Sequence, residues 1–322
     1  PTAAITYSYA APYKNGGTNV TITATFNGAV LDSPTPTIAI AGSGIANVSS
    51  ANMSKTSTTV YTYTYAVPTG DGTGTVTVGT GTDAAGNVVT STPTSGATFT
   101  VDNTAPTVSG VEIIDGAGKQ NNFLNVGDNV SVTVTFSENS TVTGTPQLTL
   151  AVGEDNHTAD YTSSGSGATT KVFKYTIRAE DNDTNGISIR ADALALNGGT
   201  IMDLAENNAI LTHSVVDNNS SYKVDTTAPS VDNFTLSDTA LKAGDNATVT
   251  LGFSEAVIEF IASDINLDNA TGTLPSMTSS DNRTWSGTFT PTADREVASN
   301  TLSLTTSYTD LAGNAGTAET TA

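Results

Sequence analysis

The sequence contains no cysteine, which removes disulfide staples, thiolate metal sites and cysteine nucleophiles together. Basic residues are scarce as well. Across 322 residues, 11 Lys and Arg stand against 31 Asp and Glu, for a net charge of −20. Nucleic acid and anionic membrane surfaces both demand clustered positive charge, so neither is expected as a partner. Cations are. Nowhere do about 18 apolar residues run together, so no membrane-spanning helix is expected. The start shows no basic-then-apolar leader pattern, and beginning at Pro1 it reads as a piece of something longer. Histidine occurs only at His157 and His213, in polar surroundings that suggest surface positions. No serine elbow or paired-histidine spacing accompanies them. The glycine-rich Gly70-Asp71-Gly72-Thr73-Gly74 lacks the lysine and following helix of a phosphate loop. The expectation is a protein that is not an enzyme.

What the chain does contain is repetition, the signal to read first. A glycine turn leads into an alternating run ending in Phe three times: Gly16 to Phe26, Gly127 to Phe136 and Gly244 to Phe253. An acidic turn recurs as Asp83-Ala84-Ala85-Gly86-Asn87, Asp203-Leu204-Ala205-Glu206-Asn207 and Asp310-Leu311-Ala312-Gly313-Asn314. A joint recurs as Val101-Asp102-Asn103-Thr104-Ala105-Pro106 and Val224-Asp225-Thr226-Thr227-Ala228-Pro229. These landmarks divide the chain into units 1–102, 103–225 and 226–322. Within each unit the hydrophobic period is two. Val130 to Phe136, Val60 to Val67, Val172 to Ile177 and Thr284 to Phe289 all alternate apolar with polar residues, the pattern of strands with one buried face. About seven short strands per unit and no helical stretch imply an all-β fold, three tandem immunoglobulin-like β-sandwiches in an elongated rod. Trp285 and the tyrosines of 61–65 are expected in the packing, and Phe136 and Phe253 in the cores.

The joint, the Phe-Ser-Glu at 136–138 and 253–255, and Asp310-Leu311-Ala312-Gly313-Asn314 together resemble tandem bacterial Ig-like repeats. Such repeats build large cell-surface adhesins and surface-layer proteins, so the resemblance implies an extracellular, cell-surface location. It covers essentially the whole chain. The first unit departs from the pattern, with Phe26-Asn27-Gly28 in place of Phe-Ser-Glu.

Acidity is uneven. The three units hold 2 basic and 4 acidic, 6 and 15, and 3 and 12 residues, for nets of −2, −9 and −9. In an Ig-type sandwich the loops after the second and sixth strands lie at the end where the chain enters. That places Glu138 and Asp203 beside the linker residue Asp102, and Glu255 and Asp310 beside Asp225. Three converging carboxylates repel unless a cation joins them. Calcium accepts six to eight oxygens in loose geometry, whereas magnesium demands a tight octahedron. An ion shared between linker and unit would stiffen the joint. A second ion is suggested by Asp181-Asn182-Asp183-Thr184-Asn185-Gly186-Ile187, which follows the first half of an EF-hand loop and places Asp192 at its twelfth position. Its ligands would be Asp181, Asp183, Asn185, the Ile187 carbonyl and Asp192, with ordinary polar turns as the competing reading. The expected partners are neighbouring repeats of the same chain. As an alternative, other copies would pack around this one in a surface-layer lattice.

Overall fold

Alternation alone dictates which side of each strand turns inward. Along Asn129–Phe136, Val130, Val132, Val134 and Phe136 are all buried, while the residues between them are only partly covered. The computed structural model describes residues 1–162, 168–267, 270–295 and 301–321. In it the chain is almost wholly strand and turn, with a short 3-10 turn at Ala262–Asp264 as the helical element among the described residues.

In the first unit Ala3–Tyr7, Val20–Phe26, Val60–Tyr65 and Ser54–Lys55 form one antiparallel sheet. Val48–Asn52, Thr37–Gly42, Gly72–Gly79 and Thr98–Val101 form the sheet that faces it. Their inner residues meet in one cluster, with Tyr61, Tyr65 and Phe99 inside and Tyr63 at its margin. The third unit repeats the scheme. Ala247–Phe253 lies between Val231–Leu236 and Thr284–Pro291, and Phe253 packs against Phe260 and Tyr308. Trp285 is half-buried, edge-on to Phe260 with centroids 5.0 Å apart. The middle unit differs in that Asp155–Tyr161 pairs with both Gln147–Val152 and Thr170–Thr176. This joins the two layers into one six-stranded sheet. Each unit has its own hydrophobic cluster, spanning residues 3–101, 113–224 and 234–308.

The repeated glycine turn has a conformational reason. Gly16, Gly127 and Gly244 all have left-handed φ, at 78°, 91° and 93°, where a side chain would be strained. Asp128 and Asp245, one residue on, bond back to the backbone N–H groups of Asn125 and Lys242 and fix the same turn in two units.

Packing without disulfides makes the central rings indispensable. Phe136 and Phe253 are 2% and 0% exposed. Replacing either with Ala is expected to cost about 3–5 kcal/mol. In chemical denaturation Phe136→Ala should weaken the middle unit's transition and Phe253→Ala the third's, each leaving the other in place.

Candidate metal centres

The acidic turn is built by its own first and last residues. Asp310 Oδ1 accepts the N–H groups of Ala312 (2.8 Å) and Asn314 (2.9 Å), and Asn314 Nδ2 donates back to Asp310 Oδ2 (2.8 Å). Asp203 and Asn207 repeat this closure, as do Asp83 and Asn87. The fourth position is left-handed in each copy, at Gly86, Glu206 and Gly313 with φ of 84°, 66° and 86°. The same amide that closes the turn then reaches out of it. Asn207 Nδ2 donates to the Asp102 carbonyl at 3.1 Å and Asn314 Nδ2 to the Asp225 carbonyl at 3.0 Å.

This clasp brings the linker acid against the loops. Asp102, Glu138 and Asp203 each offer a carboxylate oxygen within 4.8 Å of the others, and so do Asp225, Glu255 and Asp310. Asp203 and Asp310 are buried and the other four half-buried. Burial, then the charges of Asp225 and Asp310, push the Glu255 carboxyl up from 4.5 to about 7, with Arg283 opposing. Burial first and neighbouring acids second likewise raise Asp102, Glu138 and Asp225. Asp83 provides the internal contrast. It has the same turn without the two companion acids, and the Asn87 bonds hold it below the usual carboxylate range.

The donor set fits a hard cation. Every side-chain donor is an oxygen, and backbone carbonyls lie alongside. A cleft of about 610 Å³ opens beside the first triad, with room for water ligands. Arg283, the cation near the second triad, is spent on the Phe253 carbonyl at 2.9 Å and on Asp232. Asp71 was not foreseen. This acid of the first unit accepts the Asn103 N–H and the Thr104 hydroxyl, and its charge acts on Asp102 and Glu138. At the second joint Asn182 takes over part of that role, accepting the Thr226 N–H at 3.1 Å. Nothing in the sequence around Asp71 marks it out. The asparagine that ends each acidic turn was visible as a repeat, though its reach to the linker is a tertiary fact.

The 181–192 loop is not drawn together in the same way. Among the described residues its three carboxylates do not form a group close enough to share an ion. Asp181 accepts from the Tyr175 hydroxyl and the Arg178 N–H, and Asp183 from the N–H groups of Gly153, Asn185 and Gly186. Asp192 accepts from the His213 N–H, Asn185 is exposed, and the Ile187 carbonyl accepts from the Asn219 N–H. The loop is held by hydrogen bonds of its own. The histidines depart from expectation. Neither lies free on the surface: His213 accepts the Ala193 N–H at 2.9 Å, and His157 packs against Tyr175.

Residues 225–322 match the family model of the bacterial Ig-like domain. No curated protein matches the sequence. Among solved structures, the Escherichia coli adhesin FdeC aligns at 13% identity over 99% of this chain and 95% of its own, with a TM-score of 0.40. The FN1–FN3 domains of chicken CNTN1 align at 10% identity over 99% and 96%, with a TM-score of 0.25. The human desmocollin-1 ectodomain aligns at 12% over 99% and 58%, with a TM-score of 0.27.

A raised acid has a definite sign in stability. Between 4.5 and about 7 only the folded state keeps the Glu255 proton, so without divalent cations the third unit should lose stability as pH rises through that window. Calcium should flatten or reverse the slope. Thermal unfolding with chelator and with calcium checks both. Separately, Glu206→Gly should stabilise the middle unit by up to about 1 kcal/mol, because its φ of 66° suits glycine.

Proposed function

We propose that this run of Ig-like β-sandwiches, whose last unit is a bacterial Ig-like domain, is a non-catalytic extender segment of a large bacterial surface adhesin, stiffened by calcium at its joints. The observation that carries the reading is recurrence. The same three acids, one from the linker and two from loops of the following unit, converge at both joints. Solvated surface acids have no reason to assemble twice in the same order.

Asp102, Glu138 and Asp203 would hold one ion, and Asp225, Glu255 and Asp310 another. A bound calcium supplies the positive charge that cancels their mutual repulsion. The chain's own part is orientation. The Asn207 and Asn314 amides fix the linker carbonyls. Contacts across the joints add to this: Lys14 donates to the Glu206 carbonyl, and Asn121 and Asn125 to the carbonyls of Leu311 and Ala312. A linker held on two sides transmits the direction of one unit to the next, which is the physical requirement of a stalk.

Small-angle scattering of the whole chain tests this. In calcium the maximum dimension should be that of an extended rod. Excess chelator should broaden or shorten the distribution, and Asp225→Ala should do so at the second joint alone while both neighbouring units still unfold normally. An unchanged profile in chelator would overturn the stiffening role. Sheets or defined oligomers forming in calcium would favour a lattice protein over a stalk.

A further inference from the structure

The two joints are not equally built. In both, the linker is tied to the unit before it, through Asp71 at the first and through Asp181 and Asn182 at the second. In both, an asparagine amide of the next unit holds the linker carbonyl. They differ in what passes directly from unit to unit. The acidic turn of the third unit receives Asn121 Nδ2 on the Leu311 carbonyl at 3.0 Å and Asn125 Nδ2 on the Ala312 carbonyl at 2.9 Å. Gln120 lies so close over Gly313 that a Cβ there would run into its amide. Among the described residues, the matching turn of the middle unit receives one side-chain hydrogen bond from the first unit, Lys14 Nζ on the Glu206 carbonyl. Around it lies a groove of about 560 Å³ between Tyr9, Pro12, Lys14, Leu204 and Glu206. Leu204 is 76% exposed, where its counterpart Leu311 is 41%.

A length difference in the sequence produces this. Tyr7 pairs with Ile22 and Ile113 with Val132, and both partners stand four residues before the Phe that ends their strand. From these matching places the first unit reaches its turn glycine, Gly16, in 9 residues, and the middle unit reaches Gly127 in 14. The added residues fold into a hairpin. Gln120 and Phe123 exchange backbone hydrogen bonds at 2.8 and 2.7 Å around Asn121 and Asn122, whose φ of 48° and 69° are those of a type I′ turn. Asparagine tolerates that left-handed backbone. Lys119 stands 4.3 Å from the centre of the Tyr222 ring and Lys223 5.2 Å from that of Phe123, and Phe123–Leu124 pairs with the departing Lys223–Val224. The hairpin is thereby tied to the chain that leaves the unit. Short amides on a tight hairpin set both a distance and a direction. A single lysine on its flexible stem limits distance and sets no angle.

We propose that the first joint is the pivot of the segment and the second a clamp, so that the middle and third units move as one body and the first swings against them. The clamp is made of protein alone. With no ion bound, the second joint keeps the amide contacts of residues 120–125, while the first keeps its linker and one lysine. The groove gives the pivot its direction, since the space between Tyr9, Pro12 and Leu204 is the room into which it can close. An ion therefore contributes the larger share of the stiffness at the first joint, where less else holds the units together.

Distances between paired spin labels on the whole chain test this, and the lack of native cysteine lets each pair be placed without background. Thr64→Cys with Thr158→Cys spans the first joint, and Thr158→Cys with Thr288→Cys the second. All three positions are exposed on strands. In excess chelator the first distance distribution should be clearly wider than the second. Asn121→Gly with Asn125→Ala removes both amides, glycine suiting the φ of 48° at 121. That double variant should widen the second distribution and leave the first as it was. Equal widths in chelator, or a second distribution that the double substitution does not move, overturns the clamp. If the double variant does not fold, the comparison of the two joints without it decides alone. Calcium is added last. Should it narrow neither distribution, the ion-stiffened joint fails and the clamp stands, so the two readings are judged separately.

Discussion

One side-chain amide governs each joint. Asn207 and Asn314 each donate both to the aspartate that opens their turn and to the carbonyl of the linker acid. This double use couples two things that otherwise vary independently, the shape of a loop and the position of the chain arriving from the previous unit. Once the linker carbonyl is fixed, its carboxylate has little freedom to avoid the other two. The crowding of like charges is thus imposed by a neutral hydrogen bond. Burial first, and that crowding second, raise the carboxyls of Glu138 and Glu255.

The first unit shows what the arrangement is worth. It has the Asp83–Asn87 turn, closed by the same bonds, but Asn27-Gly28 replaces the serine and glutamate of the other units. There the bonds from Asn87 hold the aspartate below the usual carboxylate range. Turn closure and acid crowding are therefore separable, the first belonging to every copy and the second only to joints with a linker acid and a glutamate.

Much of this was legible because strand alternation and repeat spacing are local properties. Val130 to Phe136 can bury one face in only one way, and three copies of one turn fix where a unit's loops fall. The two triads followed from that topology. The 181–192 loop admits two readings because the composition of an ion loop and that of a hydrogen-bonded turn are the same. Asp and Asn at alternate positions serve either, and the decision lies with partners such as Gly153 and Tyr175 that are distant in sequence. Asp71 went unread for the same reason. Its role is set by a contact with Asn103, 32 residues on, which spacing does not record.

The way the chain leaves the middle unit has a mechanical consequence. Lys223–Val224 pairs parallel to Phe123–Leu124, close to the point where the linker begins. Tension drawn through neighbouring units would pull these two segments past each other along their length. Hydrogen bonds loaded in that direction share the force and must fail together, whereas an antiparallel end pulled apart opens one bond at a time. The first unit has a parallel bridge of the same kind between Tyr13 and Val101, so under load the fold resists at the two places where each unit hands the strain to the next.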